Sequence, residues 1–252
     1  GYSNGAALAV SYALDARTDA TLPRPAGLVL ISPAIGITRL AAIGRIRTGL
    51  SDLQGFGRAA WQLIEAEVDP YKYQSFSFNA AGATQRLTSG LSRRIAAIAS
   101  QGPVRDMPPI LAFVSTVDST VQVPAVIDSL LGRLAPEGHE LVVFDVNRLS
   151  VVQPLLIADP APLTRRLLAQ TQRPFALTLI TNASASTLQV AERRSPALGK
   201  ATTERPLDLA WPRNVFSLSH VALPFPPDDP LYGYAAPVTS RHVQLGRIEI
   251  RG

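Results

Sequence analysis

Cysteine is absent from the 252 residues, which removes disulfides and thiolate metal sites from consideration. Compartment stays open between cytoplasm and cell envelope, because disulfide-free chains serve in both. Histidine is scarce: any chemistry needing an imidazole must draw on His139, His220 or His242. No uninterrupted apolar run reaches the roughly 18 residues that span a bilayer. A dense basic stripe interleaved with aromatics is also missing. The net charge of +5 sits on separated pairs, Arg93–Arg94, Arg165–Arg166 and Arg193–Arg194. Nucleic-acid binders concentrate such charge, so none is expected as a partner. The pairs read as solvated helix faces, and weak attraction to an anionic membrane surface is the one macroscopic association the charge allows. No cofactor and no metal site are indicated.

What is present is an alternation of helical and strand patterns. Ala6 to Ala16 is rich in small apolar residues, suited to a tightly packed helix. Gly27 to Ser32 (GLVLIS) is a short continuous apolar run, the pattern of a buried parallel strand. The character then changes from Arg39 to about Asp106. Helices are expected around Phe56–Ala66 and Ala83–Ala99, flanking an aromatic loop with Tyr71, Tyr73, Phe76 and Phe78, and no strong strand is evident. Beyond it, ILAFVS (110–115), LVVFDV (141–146) and FALTLIT (175–181) read as strands, with helices at VPAVIDSLLGRL and Pro162–Thr171 between them. Ser184–Pro212 is mostly polar and is expected to be a loop with a helix. VFSLS (215–219) would be a further strand and HVQLGRIEI (242–250) an edge strand. The order implies an α/β domain with a mainly parallel sheet and flanking helices. Its expected parts are residues 1–38 and 107–252 as the core and 39–106 as a helical insertion.

Gly1-Tyr2-Ser3-Asn4-Gly5 has the G-x-S-x-G form of a nucleophile elbow. A serine that attacks a carbonyl must stand clear of the backbone on a very sharp turn. Residues two positions away on either side are then expected to collide unless they are very small. A helix starting at once turns its N-terminal dipole and N–H groups toward the reacting carbonyl. The elbow calls for a preceding strand, and nothing precedes it here.

A nucleophile of this type is followed along the chain first by an acid and then by a histidine. His139 lies before a strand, at the edge opposite to where function collects on parallel sheets, and is expected at the surface. His242 lies in a polar tail. His220 follows VFSLS directly, at a strand's carboxyl end, and is the candidate base. For the acid, Asp118 sits one short loop past ILAFVS, in a turn at a helix start. Asp145 would be a strand or rim residue, and Asp228 and Asp229 come after the histidine. Asp118 also suits a plain helix N-terminal acid, which the dipole favours. In the catalytic reading His220 takes the Ser3 proton and returns one to the leaving group, while Asp118 orients the imidazole. The N–H of Asn4 supplies one oxyanion donor.

GYSNGAALAVSYAL, GLVLISPAIGIT, STVDSTVQVP and SLSHVALPFPPDDPLYG together resemble bacterial α/β hydrolases of the monoacylglycerol lipase and serine aminopeptidase-like group. The resemblance runs from Gly1 to about Gly233. It implies an α/β-hydrolase fold, a carboxylic ester hydrolase with the triad Ser3, Asp118 and His220, and a cap formed by residues 39–106. Tyr2, Trp61, Tyr73, Phe76 and Phe78 are then candidates to contact an apolar acyl ester or lysolipid. Two departures stand out. The histidine is expected soon after LVVFDV, yet a long segment intervenes. The amino-terminal strands and the second oxyanion donor are missing, so the isolated chain is expected to be inactive and to need the rest of the fold as its partner. The alternatives are an aminopeptidase-like hydrolase, with Glu65, Glu67 and Asp69 to hold a substrate amine, and a non-catalytic binding module.

Overall fold

The computed structural model describes residues 1–35, 61–63, 76–118, 120–150, 159–199, 201–212 and 217. The chain divides into two compact units, Gly1–Thr38 with Leu87–Ala222, and Arg39–Arg86 with Leu223–Gly252. In the second unit the described residues form a small antiparallel pair, β2 (Trp61–Leu63) with β3 (Phe76–Ser77). Trp61–Leu63 is therefore a strand, where the composition of Phe56–Ala66 suggested helix. A single helix, α2 (Phe78–Ala99), runs from the second unit into the first. Its later turns bury Leu91 and Ile95 in the first unit's core.

The first unit is built on a six-stranded sheet in the order β1-β4-β5-β6-β7-β8. The strands are β1 (Leu28–Ile31), β4 (Ile110–Ser115), β5 (Glu140–Phe144), β6 (Ala176–Asn182), β7 (Gln189–Ser195) and β8 (Thr203–Ala210). The pairs β1–β4, β4–β5 and β5–β6 are parallel, and β6–β7 and β7–β8 are antiparallel. The sheet is thus mixed, with a parallel half and an antiparallel hairpin. The helices α1 (Asn4–Ala16), α3 (Val123–Ser129, with a 3-10 turn Leu131–Arg133) and α4 (Ala161–Ala169) fall between strands where the apolar periodicity placed them.

Ala6, Ala7, Val10, Ala13 and Leu14 recur at helical spacing and make one apolar face of α1. The small side chains bring that helix close to the sheet. They share one core with Leu28, Leu30, Ile110, Ala112, Val114, Leu141, Val143, Leu177 and Leu179. These strand residues alternate along each strand, so they all lie on one face of the sheet.

The hairpin β7–β8 occupies the region expected to be a loop with a helix. QVAERRS and TERPLDLA carry too many charges to show an apolar period; they pair through an antiparallel backbone ladder, with ion pairs lying across it and to β5. Arg193 meets Glu204 at 2.9 Å, Arg205 meets Glu192 at 3.0 Å, and Arg194 reaches Glu140 of β5 at 3.0 Å. Arg193 and Arg194 are therefore strand residues rather than part of a solvated helix. Pro206 and the charges of β8 blunt the edge of the sheet against further pairing.

His139 departs most from expectation. It lies at the amino edge of the sheet, as placed, but is only 2% exposed. The β4–β5 register begins at Leu111 opposite Glu140, which leaves the Ile110 N–H before the first rung. His139 Nδ1 accepts that N–H at 3.2 Å, so the neutral ring carries its proton on Nε2. Gly138, at φ 87, makes the turn that brings the ring inward. Burial holds the His139 pKa below its ordinary value, against the opposing pull of Glu137. Above about pH 6.5 the ring is neutral in both folded and unfolded chains. Below that the unfolded chain takes up a proton the folded one resists, so stability falls with pH. Glu140 behaves separately: the hydrogen bond from Arg194 lowers its pKa, and its contribution is lost only below the ordinary carboxylate range. The melting temperature should drop between pH 7 and pH 5, and His139→Gln, which keeps an acceptor for Ile110, should flatten that drop. A wild-type melting temperature constant across this range would refute the assignment.

Candidate active site at the carboxyl edge of the sheet

Gly1 to Ser3 do more than precede a helix. The Gly1 nitrogen donates to Val29 O at 2.7 Å, Ile31 N to Gly1 O at 2.9 Å, and Ser3 N to Ile31 O at 2.9 Å. Tyr2 forms a parallel bridge with Ile31. These residues therefore run as the last rung of a parallel strand beside β1, and they supply the strand end that the elbow pattern calls for.

At the end of that rung the backbone of Ser3 adopts φ 50 and ψ −116. This conformation is costly for a residue with a Cβ, on the order of 1–3 kcal/mol. It persists because both peptide groups are held: Ser3 N by Ile31, and Ser3 O by Ala6, Ala7 and Ala34. Ser3 occupies the cap position of α1, yet its side chain does not cap the helix. A serine at this position usually gives its hydroxyl to the first turn; here the backbone geometry directs it elsewhere. Asn4 is the first residue of α1, where backbone N–H groups lack intrahelical acceptors as a class.

The two glycines of the motif differ. A Cβ on Gly1 would sit 2.4 Å from Gly5 O and 2.7 Å from Ala6 N, so only glycine fits. A Cβ on Gly5 meets nothing within 4 Å. The collision expected on both sides of the serine occurs on one side only. The turn brings Gly1 under the first helical turn, while Gly5 faces outward.

Asp118 lies three residues past the carboxyl end of β4. Its Oδ1 accepts Thr120 N and Val121 N, each at 2.8 Å, which closes the loop just before α3. The loop is tied to the sheet by Thr116 N donating to Phe144 O at 2.9 Å. Ser3 and Asp118 thus share the carboxyl edge of the parallel half, with β1 between their strands, or about 10 Å of sheet. His220 and His242 lie outside the described residues, as do Asp228, Asp229 and Tyr73. Trp61 and Phe76 are placed as backbone in β2 and β3. Phe78 is half-buried at the start of α2, and Tyr2 is exposed.

Asp145, the competing acid, is held by several partners. Arg148 grips it as a fork, Nη2 on Oδ1 and Nε on Oδ2, both at 2.8 Å. Thr181 Oγ1 donates to Oδ2 and Val146 N to Oδ1. The residue is 4% exposed, and both of its carboxylate oxygens accept hydrogen bonds. A cavity of about 300 Å³ opens beside this pair, lined by Arg148, Thr164, Arg165, Thr181 and Arg193 among others. Neither Ser3 nor Asp118 lines it.

Sequence reasoning missed Ser32. It sits at the end of β1, next to Ser3, buried, and also at positive φ (42). Its N–H is held by Phe113 O at 2.8 Å. The only signal for it was the following Pro33, which disfavours the helical conformation without indicating a left-handed one. No family model, curated protein or solved structure matches the chain.

The glycine asymmetry is testable by thermal denaturation. Gly1→Ala should lose about 1–3 kcal/mol through the backbone clash, whereas Gly5→Ala should be neutral or gain up to about 1 kcal/mol from helix propensity. Equal losses at both positions would contradict the turn geometry.

Proposed function

We propose that the chain is a serine-dependent carboxylic ester hydrolase with an α/β-hydrolase core, acting on apolar acyl esters through an acyl-enzyme. The observation that carries this reading is Ser3. It is a non-glycine residue at φ 50 and ψ −116, between the end of a parallel strand and the start of a helix, with a glycine two residues before it that admits no side chain. Strain held in place by four backbone hydrogen bonds is an unusual way to hold a serine at a helix start, and a nucleophile gains from it.

In the mechanism, Ser3 Oγ attacks the ester carbonyl as His220 takes its proton. The tetrahedral intermediate places its oxyanion toward the first turn of α1, where the Asn4 N–H and the helix dipole meet the charge. His220 then protonates the departing alcohol, and water repeats the sequence to release the acid. Asp118 orients the imidazole and stabilises its charged form. Its Oδ1 anchors the loop just before α3 by accepting Thr120 N and Val121 N. Support for Asp118 over Asp145 comes from the Arg148 fork, which neutralises the latter.

The intact gene product should react with a fluorophosphonate probe at Ser3. Ser3→Ala should abolish labelling and lower ester hydrolysis by about 10³-fold or more. Asp118→Asn should lose turnover with little change in KM. Undiminished labelling of Ser3→Ala would overturn the nucleophile assignment. For the substrate class, p-nitrophenyl acyl esters should turn over faster than aminoacyl anilides; the opposite order would replace the esterase by a peptidase.

A further inference from the structure

The cavity of about 300 Å³ beside Asp145 lies between α4 and the β6–β7 ladder. Ala161, Thr164, Arg165 and Leu168 recur at helical spacing and form its wall from one face of α4. Leu179 and Thr181 of β6 form the floor with Arg193 of β7. Leu179 and Arg193 are register partners, so their side chains leave the sheet on the same side. Asp145, Arg148 and Asn182 line it at the carboxyl ends of β5 and β6, the edge where α/β sheets hold their ligands.

The buried polar groups of the lining already satisfy one another. Thr164 Oγ1 donates to Ala161 O, and Thr181 Oγ1 to Asp145. Asn182 donates to Asn147 and Thr187 O and accepts Arg148 N. Asp145 accepts from Val146 N, Thr181 and both arms of the Arg148 fork. Arg165 and Arg193 differ. Arg193 spends only Nε, on Glu204, which leaves its Nη groups without a partner among the described residues. Arg165 makes no hydrogen bond or ion pair among them. A guanidinium offers only donors, so what these two arginines still lack is an acceptor.

Charge points the same way. Three arginines and one carboxylate line the cavity. Glu204 and Asp159, the outer partners of Arg193 and Arg148, lie outside the lining and are half exposed, so water screens them. Ala161, Leu168 and Ala185 add apolar surface beside the free donors. The volume sits at the small end of ligand pockets and exceeds what an inorganic ion fills.

We propose that this cavity binds a small organic anion. Its carboxylate or phosphate meets Arg165 and the Nη groups of Arg193, and its short apolar part lies against Ala161 and Leu168. The site is separate from Ser3 and Asp118 and does not depend on the hydrolase reading.

Isothermal titration of the intact gene product with sodium pentanoate and with pentyl phosphate tests this. At least one should bind with a dissociation constant of about 1 mM or tighter, and the tighter of the two identifies the head group. Pentanol, which keeps only the tail, and inorganic phosphate, which keeps only the charge, should each bind about tenfold more weakly. Arg165→Gln and Arg193→Gln should each weaken binding about tenfold. Arg166→Gln, the same charge change on α4 outside the lining, should leave it unchanged. Arg165 holds no other residue in place, so its variant separates lost binding from lost folding. Failure of both probes to bind, an equal loss in Arg166→Gln, or inorganic phosphate binding as tightly as either probe would overturn the proposal. Binding indifferent to Arg165→Gln would put the anion elsewhere, the candidate active site included, and would overturn it too.

Discussion

Three backbone hydrogen bonds between Gly1–Ser3 and β1 support the arrangement of the candidate site. They align the first residues as a parallel strand end and hold Ser3 N in a direction that helix geometry alone would not choose. The Ser3 carbonyl is then shared between the first turn of α1 and the loop after β1, through Ala34 N. With both peptide groups fixed, the positive φ of Ser3 follows as a consequence. So does the need for glycine at position 1, since the same turn carries the helix back over it. Loss of this pairing would release the serine, the start of α1 and the seating of its alanine-rich face together.

A second constraint acts along the same edge. Asp145, Arg148 and Asp159 form a partly buried ionic chain at the ends of β5 and β6, extended by Thr181, Asn182 and Asn147. Taking these charges out of water is expensive, and such a chain is tolerated only when every oxygen is matched. Here the Asp145 oxygens accept from Arg148, Thr181 and Val146. The chain holds the segment after β5 against β6, and Arg148 N also bonds Asn182 Oδ1 at 2.7 Å. The carboxylate after β5 is thereby committed to structure.

The parallel half was legible because its strands are continuous apolar runs, as burial on two faces requires, and because α1, α3 and α4 show the 3.6-residue period. The hairpin β7–β8 was not. It pairs through backbone ladders, and its many Glu and Arg residues look the same in sequence whether they face solvent or a neighbouring strand. His139 was misplaced for a related reason. A histidine beside a glycine at a strand start resembles a surface turn, and only the unpaired Ile110 N–H of a neighbouring strand gives it a buried role. In the elbow, Gly1 and Gly5 look equivalent, although one is sterically required and the other is open.

By itself, the sequence determined which segments could be strands or helices and which residue types were available for chemistry: one elbow motif, three histidines and an acid in a turn. Those follow from local propensity, periodicity and covalent identity, which the chain carries in any conformation. Tertiary structure alone decided that Ser3 is strained, that Asp145 is occupied and that His139 is inside. Each of these depends on partners brought together from 28 or more residues away, such as Val29 and Ile31 for the elbow, Thr181 for Asp145 and Ile110 for His139. Such pairings are set by strand register and crossover handedness, which exist only once the chain has folded.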